Sequence, residues 1–152
     1  MKIGRNTTIG AAVLACIAIA ASAAPEGSPS VSIPVTQLKY GPTGVADGVH
    51  GEVLAAPAFG DSGHGAHGTF LRLPPGFVSP IHTHTEYEYV VVISGVGANT
   101  VPGGTDVPLP AGSYFFQKAG ERHITKCISS NECVFFVSQP GKYDFLPNAA
   151  KQ

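Results

Sequence analysis

The sequence predicts an all-β fold, a single sandwich or barrel built from short strands. Nineteen glycines and thirteen prolines supply many turn positions. Short apolar or alternating runs recur between these turns, which is the pattern of half-buried strands. No heptad, long amphipathic helix or internal repeat interrupts that pattern. At 152 residues, the chain is long enough for one domain with a substantial core and too short for two.

Eight runs are predicted to be strands. Seven of the eight are followed within three residues by glycine or proline, which ends a strand, and the run 122–127 is followed by the polar turn residues Ser129, Ser130 and Asn131. In chain order the predicted strands are residues 35–38, 52–56, 68–73, 87–93, 98–101, 113–117, 122–127 and 134–138.

The N-terminus has the pattern of a secretory signal peptide over residues 1–23. Lys2 and Arg5 form a short positive region, residues 9–24 are almost wholly apolar, and Ala21-Ser-Ala23 is a small-residue cleavage site. The apolar run is shorter than the ~20 residues that a membrane-spanning helix needs. An uncleaved anchor and a lipoprotein modified at Cys16 are the alternatives. We therefore expect export to a periplasm or to the medium.

Composition limits the partners of the exported chain. Cleavage after Ala23 removes 23 of the 152 residues and leaves 129, with seven basic residues against ten acidic ones and a net charge of −3. The sequence has no run of lysines or arginines, so a nucleic-acid partner is not expected. No second long apolar segment follows the first, so no membrane association is expected after cleavage.

Two cysteines are predicted to form a disulfide. Cys127 and Cys133 flank a polar turn between two predicted strands, and cysteines facing each other across such a hairpin are close enough to bridge. An oxidising compartment would preserve the bond. Two free buried thiols and a soft-metal role are the alternatives.

Four side chains form a candidate metal site. His82 and His84 point to the same face of an extended strand, and Glu88 keeps that parity. His123 would reach the same point from a distant strand. Neutral imidazoles with a carboxylate suit iron(II), manganese, nickel, copper or zinc. Glu86 shares the parity of Glu88 and is the alternative carboxylate, although the spacing favours Glu88.

These residues carry a resemblance to the cupin superfamily. Two motifs are involved, G-x5-H-x-H-x3-E-x6-G and G-x5-P-x-G-x2-H-x3-N. The first is matched throughout, by Gly76, His82, His84, Glu88 and Gly95, and the second by Gly112, Gly120 and His123. The second motif departs at Lys118, where proline is usual, and at Cys127, where asparagine is usual.

The resemblance implies a single cupin jelly-roll β-barrel over residues 33–148, after a flexible leader at residues 24–32. It also implies one divalent transition-metal ion, with His82, His84, Glu88 and His123 as its ligands. The function that it favours is a metal-dependent small-molecule enzyme, an oxidoreductase of dioxygenase type. A non-catalytic cupin that binds a small molecule or a metal is the alternative, and a barrel with a vestigial site is a third. Cupin barrels commonly pair through an edge strand, so a homodimer is expected.

Three further residues are candidates for contacts with a small-molecule ligand. Gln117 and Thr125 could place polar atoms beside the metal. Arg72 is expected in solvent if its leucine neighbours pack inward, and in the pocket, against a substrate carboxylate, if the strand faces the other way. His64 and His67 lie in the glycine-rich stretch 60–68, which is predicted to be a solvated loop rather than a second metal site.

Overall fold

The structure is a computed structural model that describes residues 29–147. The predicted signal peptide and most of the predicted leader lie outside the described residues. None of the helices in the described part is long and apolar enough to cross a membrane. A 3-10 helix at Val35–Gln37 precedes eleven strands. The strands are β1 Gly41–Ala46, β2 Glu52–Gly60, β3 His67–Leu73, β4 His82–Thr83, β5 Glu88–Ser94, β6 Val96–Thr100, β7 Leu109–Pro110, β8 Tyr114–Gln117, β9 Ile124–Cys127, β10 Cys133–Gln139 and β11 Leu146–Pro147.

The strands form one barrel in which every named pair is antiparallel. The larger sheet has the order β1-β2-β3-β10-β5-β8, and the smaller sheets have the orders β7-β6-β9 and β11-β4. Bridges from Val78 to Lys126 and from His82 to His123 join the chain around β4 to β9, so the smaller sheets make one wall. The predicted all-β, single-barrel fold is confirmed.

Strict alternation on the central strands sets the interior of the barrel. On β10, Phe135 and Val137 are buried while Phe136 and Ser138 face outward, and β5 buries Val90 in the same way. Because neighbouring side chains on a strand point to opposite faces, one row from each strand fills the space between the walls. The inward row of β5 begins with Glu88 and that of β10 ends with Gln139, so the polar residues sit at one end of an apolar core.

The sequence-based strand assignments need two kinds of correction. The predicted strand 35–38 is a 3-10 helix, and four strands are absent from the eight predicted runs: β1, β4, β7 and β11. The missed strand β1 contains two glycines and a proline, and the other three are only two residues long, so none shows a readable alternation. The remaining seven predicted strands overlap β2, β3, β5, β6, β8, β9 and β10.

The loop within the glycine-rich stretch 60–68 is also shorter than predicted. Strand β3 begins at His67, and this side chain is buried, whereas His64 is exposed and its Nδ1 lies 2.9 Å from the Asp61 carboxylate. Pairing with β10 and β2 draws His67 into the sheet. The predicted homodimer stays a prediction.

Candidate metal centre

Three histidines converge at one end of the barrel. His82 opens β4, His84 lies two residues further on, and His123 is brought beside them by paired backbone hydrogen bonds with His82, at 3.0 and 3.1 Å. Their ring centroids are 4.1 to 5.2 Å apart, and one ligand nitrogen from each lies within 4.8 Å of the others. All three are at most 4% exposed. The structure thus brings together the histidines that the spacing predicted.

Backbone carbonyls fix which nitrogen of each ring faces the centre. The Nδ1 atoms lie within hydrogen-bond distance of the carbonyl oxygens of Pro80 (2.8 Å, from His82), Asp144 (2.5 Å, from His84) and Glu121 (3.0 Å, from His123). A neutral imidazole that donates from Nδ1 presents a lone pair at Nε2, which is the usual arrangement of metal-binding histidines. The Nε2 atom of His123 is buried and has no hydrogen-bond partner. A metal ion would satisfy it.

Burial keeps two of these histidines neutral. It lowers the pKa of His82 from 6.5 to about 3, with a further contribution from His123. Burial likewise lowers the pKa of His123, to about 4, against the opposing hydrogen bond to the Glu121 carbonyl. At neutral pH both rings therefore offer lone pairs, the form that binds a metal ion.

Glu88 supplies the carboxylate nearest to the histidines. It is buried at the start of β5, and its Oε1 lies 3.5 Å from His84 Nε2. Burial raises the pKa of this carboxyl, while the nearby His84 opposes the shift. The alternative carboxylate, Glu86, is half-buried and packs against Gly141. Three imidazoles with an adjacent carboxylate fit a first-row divalent ion, so the residues present suit the metal that the sequence predicted.

His82 and His84 border a small apolar cavity of about 60 Å³ inside the barrel. This volume holds a few water molecules. Thr125 is among the residues that line it. Besides Thr125 and the candidate ligands His82, His84 and Glu88, its walls are Thr43, Val45, Val53, Leu71, Leu73, Phe77, Ser79, Val90, Phe115, Phe135, Val137, Tyr143 and Phe145.

The segment after β10 closes the site and was missed as a functional element. The Phe145 ring stacks on the His82 ring, with their centroids 4.2 Å apart and their planes 24° from parallel. The ring centroids of Tyr143 and His84 are 5.8 Å apart. The carboxylate of Asp144 accepts hydrogen bonds from the backbone N–H (2.9 Å) and the hydroxyl (2.5 Å) of Thr85, which anchor the segment. Burial raises the pKa of Tyr143, so its phenol stays protonated. The only sequence signal was a pair of aromatic residues beyond the last long strand.

Two of the predicted ligand contacts are corrected by the structure. The amide of Gln117 is buried but already occupied: its Oε1 accepts from Asn99 (2.8 Å), and its Nε2 donates to the carbonyls of Lys118 (3.1 Å) and Glu121 (3.3 Å). Gln117 therefore supports the turn that leads to His123 and does not line the metal cavity.

Arg72 is the second correction, because it lies outside the barrel. Its guanidinium sits 3.9 Å from the centre of the Tyr40 ring, and its Nε is 3.4 Å from the Glu132 carboxylate. Leu71 and Leu73 take the inward positions and line the metal cavity. No substrate carboxylate in that cavity can reach Arg72.

The structure joins Cys127 to Cys133 in a disulfide, with their Cα atoms 5.6 Å apart. Both cysteines are buried at the end of the barrel core, where β9 turns back into β10. The bond therefore ties the strand that follows His123 to the central strand of the larger sheet.

The comparisons with known proteins identify a family. A family model described as a cupin domain matches residues 69–138, which include all four candidate ligands. No curated protein sequence matches this chain at a significant level.

Solved structures agree with this assignment at the level of the fold. The polyketide cyclase RemF from Streptomyces resistomycificus has a TM-score of 0.64 at 17% identity, covering 82% of this chain and 89% of that one. A cupin 2 conserved barrel domain protein from Rhodopseudomonas palustris has a TM-score of 0.62 at 16% identity, covering 81% and 88%. A predicted oxalate decarboxylase from Thermotoga maritima has a TM-score of 0.60 at 22% identity, covering 73% and 99%.

Proposed function

Because this chain belongs to the cupin superfamily, we propose that it is an exported, metal-dependent enzyme that acts on a small molecule, with oxidoreductase chemistry of dioxygenase type. The observation that carries the proposal is the partnerless Nε2 of His123, buried among two further histidines whose Nδ1 atoms are tied to carbonyls. A buried nitrogen without a partner is costly, and a bound ion removes that cost.

The residues around such an ion would have different roles. His82, His84 and His123 would hold it as neutral donors, and Glu88 would offset part of its charge. A bound divalent ion supplies Lewis-acid activation and, as iron(II), the capacity to react with dioxygen. The stacked Phe145 and the apolar wall exclude bulk water, and the protonated Tyr143 offers a hydrogen-bond donor at the edge of the same cavity.

The substrate class follows from the donor set. A divalent ion held by three neutral imidazoles and one carboxylate keeps a net positive charge, which favours an oxygen that is anionic or becomes so on binding, such as a carboxylate or the enolate of an uncharged enolisable compound. Structural neighbours that include a polyketide cyclase and a predicted oxalate decarboxylase indicate that this barrel serves more than one chemistry. Oxidation of an enolisable compound is our leading proposal.

Dioxygen uptake tests the proposed reaction. Protein loaded with iron(II) should consume dioxygen when a panel of enols and β-diketones is added, and the His82→Ala/His84→Ala variant should not. A folded, metal-loaded protein that consumes none with any member of the panel contradicts the oxidoreductase proposal.

The second candidate function is a binding module, and the cavity volume of only about 60 Å³ favours it. Such a protein would hold a metal or a small molecule without converting it. Isothermal titration calorimetry, which measures binding, and mass spectrometry of the ligand after incubation, which detects its conversion, distinguish the two functions. Tight binding with the ligand recovered unchanged supports the module, and conversion to a new compound excludes it.

Export rests on the pattern of residues 1–23 and is supported by the disulfide, which persists in oxidising compartments. Mass spectrometry of the protein from the producing cells tests it. A mature chain that begins at Ala24 supports export, whereas a chain that retains Met1 in the cytoplasm contradicts it.

A further inference from the structure

A second cavity of about 210 Å³ adjoins the metal cavity. Residues of β1, β2, β3, β5 and β10 and of the segment after β10 line it, and it is more than three times the size of the first. The two cavities share the wall residues Thr43, Leu71, Glu88, Val137 and Tyr143. A molecule in the second cavity therefore lies against the carboxylate and the phenol that also face the histidines.

Gln139 is the unusual residue of this second cavity. It is the last residue of β10, its inward direction follows from the alternation of that strand, and it is only 3% exposed. Both its Nε2 and its Oε1 are buried without a hydrogen-bond partner. A buried amide that leaves a donor and an acceptor unpaired destabilises the free protein, and a ligand carrying the complementary pair would recover that loss.

Apart from Glu88, the remaining polar wall also offers hydrogen bonds rather than charge. His67 lies directly opposite Gln139 on β3, and its Nδ1 is 3.0 Å from the Gly65 carbonyl and 3.1 Å from the Gly141 carbonyl, which leaves Nε2 free as an acceptor. Thr69 and Ser62 add hydroxyl groups.

Positive charge is missing from this wall. Within residues 29–147, no lysine or arginine lines the second cavity, so nothing there would balance a carboxylate or a phosphate. The volume lies below the ~300 Å³ at which pockets for drug-sized ligands begin. A small, uncharged and hydrogen-bonding molecule fits these limits.

We propose that the second cavity is a substrate compartment that takes a small uncharged molecule bearing a carboxamide, or an adjacent hydroxyl and carbonyl, and that Gln139 recognises this group. Its assignment as a substrate compartment rests on the proposed function, because the other end of the molecule would pass Glu88 and Tyr143 to reach the metal site. The binding itself needs no metal.

Lactamide and lactate make a matched pair of probes, since they differ chiefly in an uncharged amide against a carboxylate. Each would be titrated to 100 mM into nitrogen-15-labelled protein, with and without zinc(II), and followed by amide NMR spectra. Lactamide should shift the side-chain NH₂ signals of Gln139, with lactate at least tenfold weaker. Gln139→Met keeps the shape of the side chain but removes both polar atoms, so lactamide should bind at least tenfold more weakly.

Two controls keep the result interpretable. Ser138→Ala changes the outward-facing neighbour of Gln139 and should leave the lactamide titration unchanged. Because Gln139→Met removes unpaired buried polar atoms, its melting temperature should equal or exceed that of the wild type, so its loss of binding would not reflect unfolding.

The proposal is overturned if lactamide leaves the Gln139 signals unmoved, if lactate binds as well as lactamide, or if Gln139→Met binds lactamide as the wild type does. Its failure is distinguishable from failure of the proposed function. If the protein binds lactamide through Gln139 but takes up no metal, the proposal of a metal enzyme fails and the proposed binding site in the second cavity stands.

Discussion

A side chain at Gly95, in the turn between β5 and β6, should destabilise the fold. The φ of Gly95 is +78°, in the left-handed region that favours glycine. A Cβ placed there would lie 2.8 Å from Cys133 Sγ, 2.9 Å from Cys133 Cα and 2.9 Å from the Glu132 carbonyl oxygen. These atoms cannot swing aside, because two are backbone atoms at the start of β10 and the third belongs to a disulfide.

Gly112 offers a matched control for the substitution Gly95→Ala. Its φ is +86°, but a Cβ there meets nothing within 4 Å. Gly112→Ala should therefore lower the free energy of unfolding only by the cost of holding alanine in the left-handed backbone conformation, about 1–2 kcal/mol. Gly95→Ala adds an overpacking term of about 1–3 kcal/mol, for a total of roughly 2–5 kcal/mol.

Urea unfolding of the metal-free proteins measures both losses. The free energies of unfolding come from the midpoints, provided that the slopes agree between the variants and the wild type. Gly95→Ala should unfold at a clearly lower urea concentration than Gly112→Ala. Equal midpoints would refute the reasoning, since they would mean that the contacts with Cys133 and Glu132 cost nothing.

Four further outcomes are expected. His123→Gln should lose at least tenfold in affinity for zinc(II), by competition with a chelator; unchanged affinity would remove His123 from the ligand set. Replacing Cys127 and Cys133 together by alanine should cost about 2 kcal/mol in urea unfolding, as expected for so short a loop, and a neutral result would argue against the disulfide. Arg72→Ala should leave the metal content unchanged, because that side chain lies outside the barrel, and a loss of metal would contradict this position. With pKa values of about 3 for His82 and about 4 for His123, these two side chains bind fewer protons in the folded metal-free protein than in the unfolded chain below pH 6.5. The raised pKa of the single Glu88 carboxyl opposes this in part, so the urea midpoint should still fall as the pH drops from 6.5 to 4. A midpoint that rises over that range would contradict the buried neutral state.

The sequence predicted the part of the site that local spacing determines. Parity along an extended segment was enough to place His82 and His84 on one face, whereas Glu88 reaches the site from β5, after a bend that separates it from β4. His123 was identified through the family motif, because its approach depends on pairing between segments some forty residues apart. The barrel was predictable for a similar reason: its long strands carry visible apolar runs between turns.

The rest of the site depends on contacts between distant segments that no local pattern encodes. Tyr143 and Phe145 lie against the histidines because β11 pairs with β4 and because Thr85 donates hydrogen bonds to Asp144. His67 and Gln139 meet through the register between β3 and β10. The sequence could not tell whether Arg72 faces the inside or the outside of the barrel. Alternation along a strand allows both orientations, and the pairing of β3 with its neighbours determines which one occurs.

Elemental analysis of the protein purified from its native compartment tests the central claim most directly. The account predicts about one first-row transition-metal ion per chain in the wild type and almost none in a folded His82→Ala/His84→Ala variant. Equal amounts of tightly held metal in both proteins, or none in either, would contradict it.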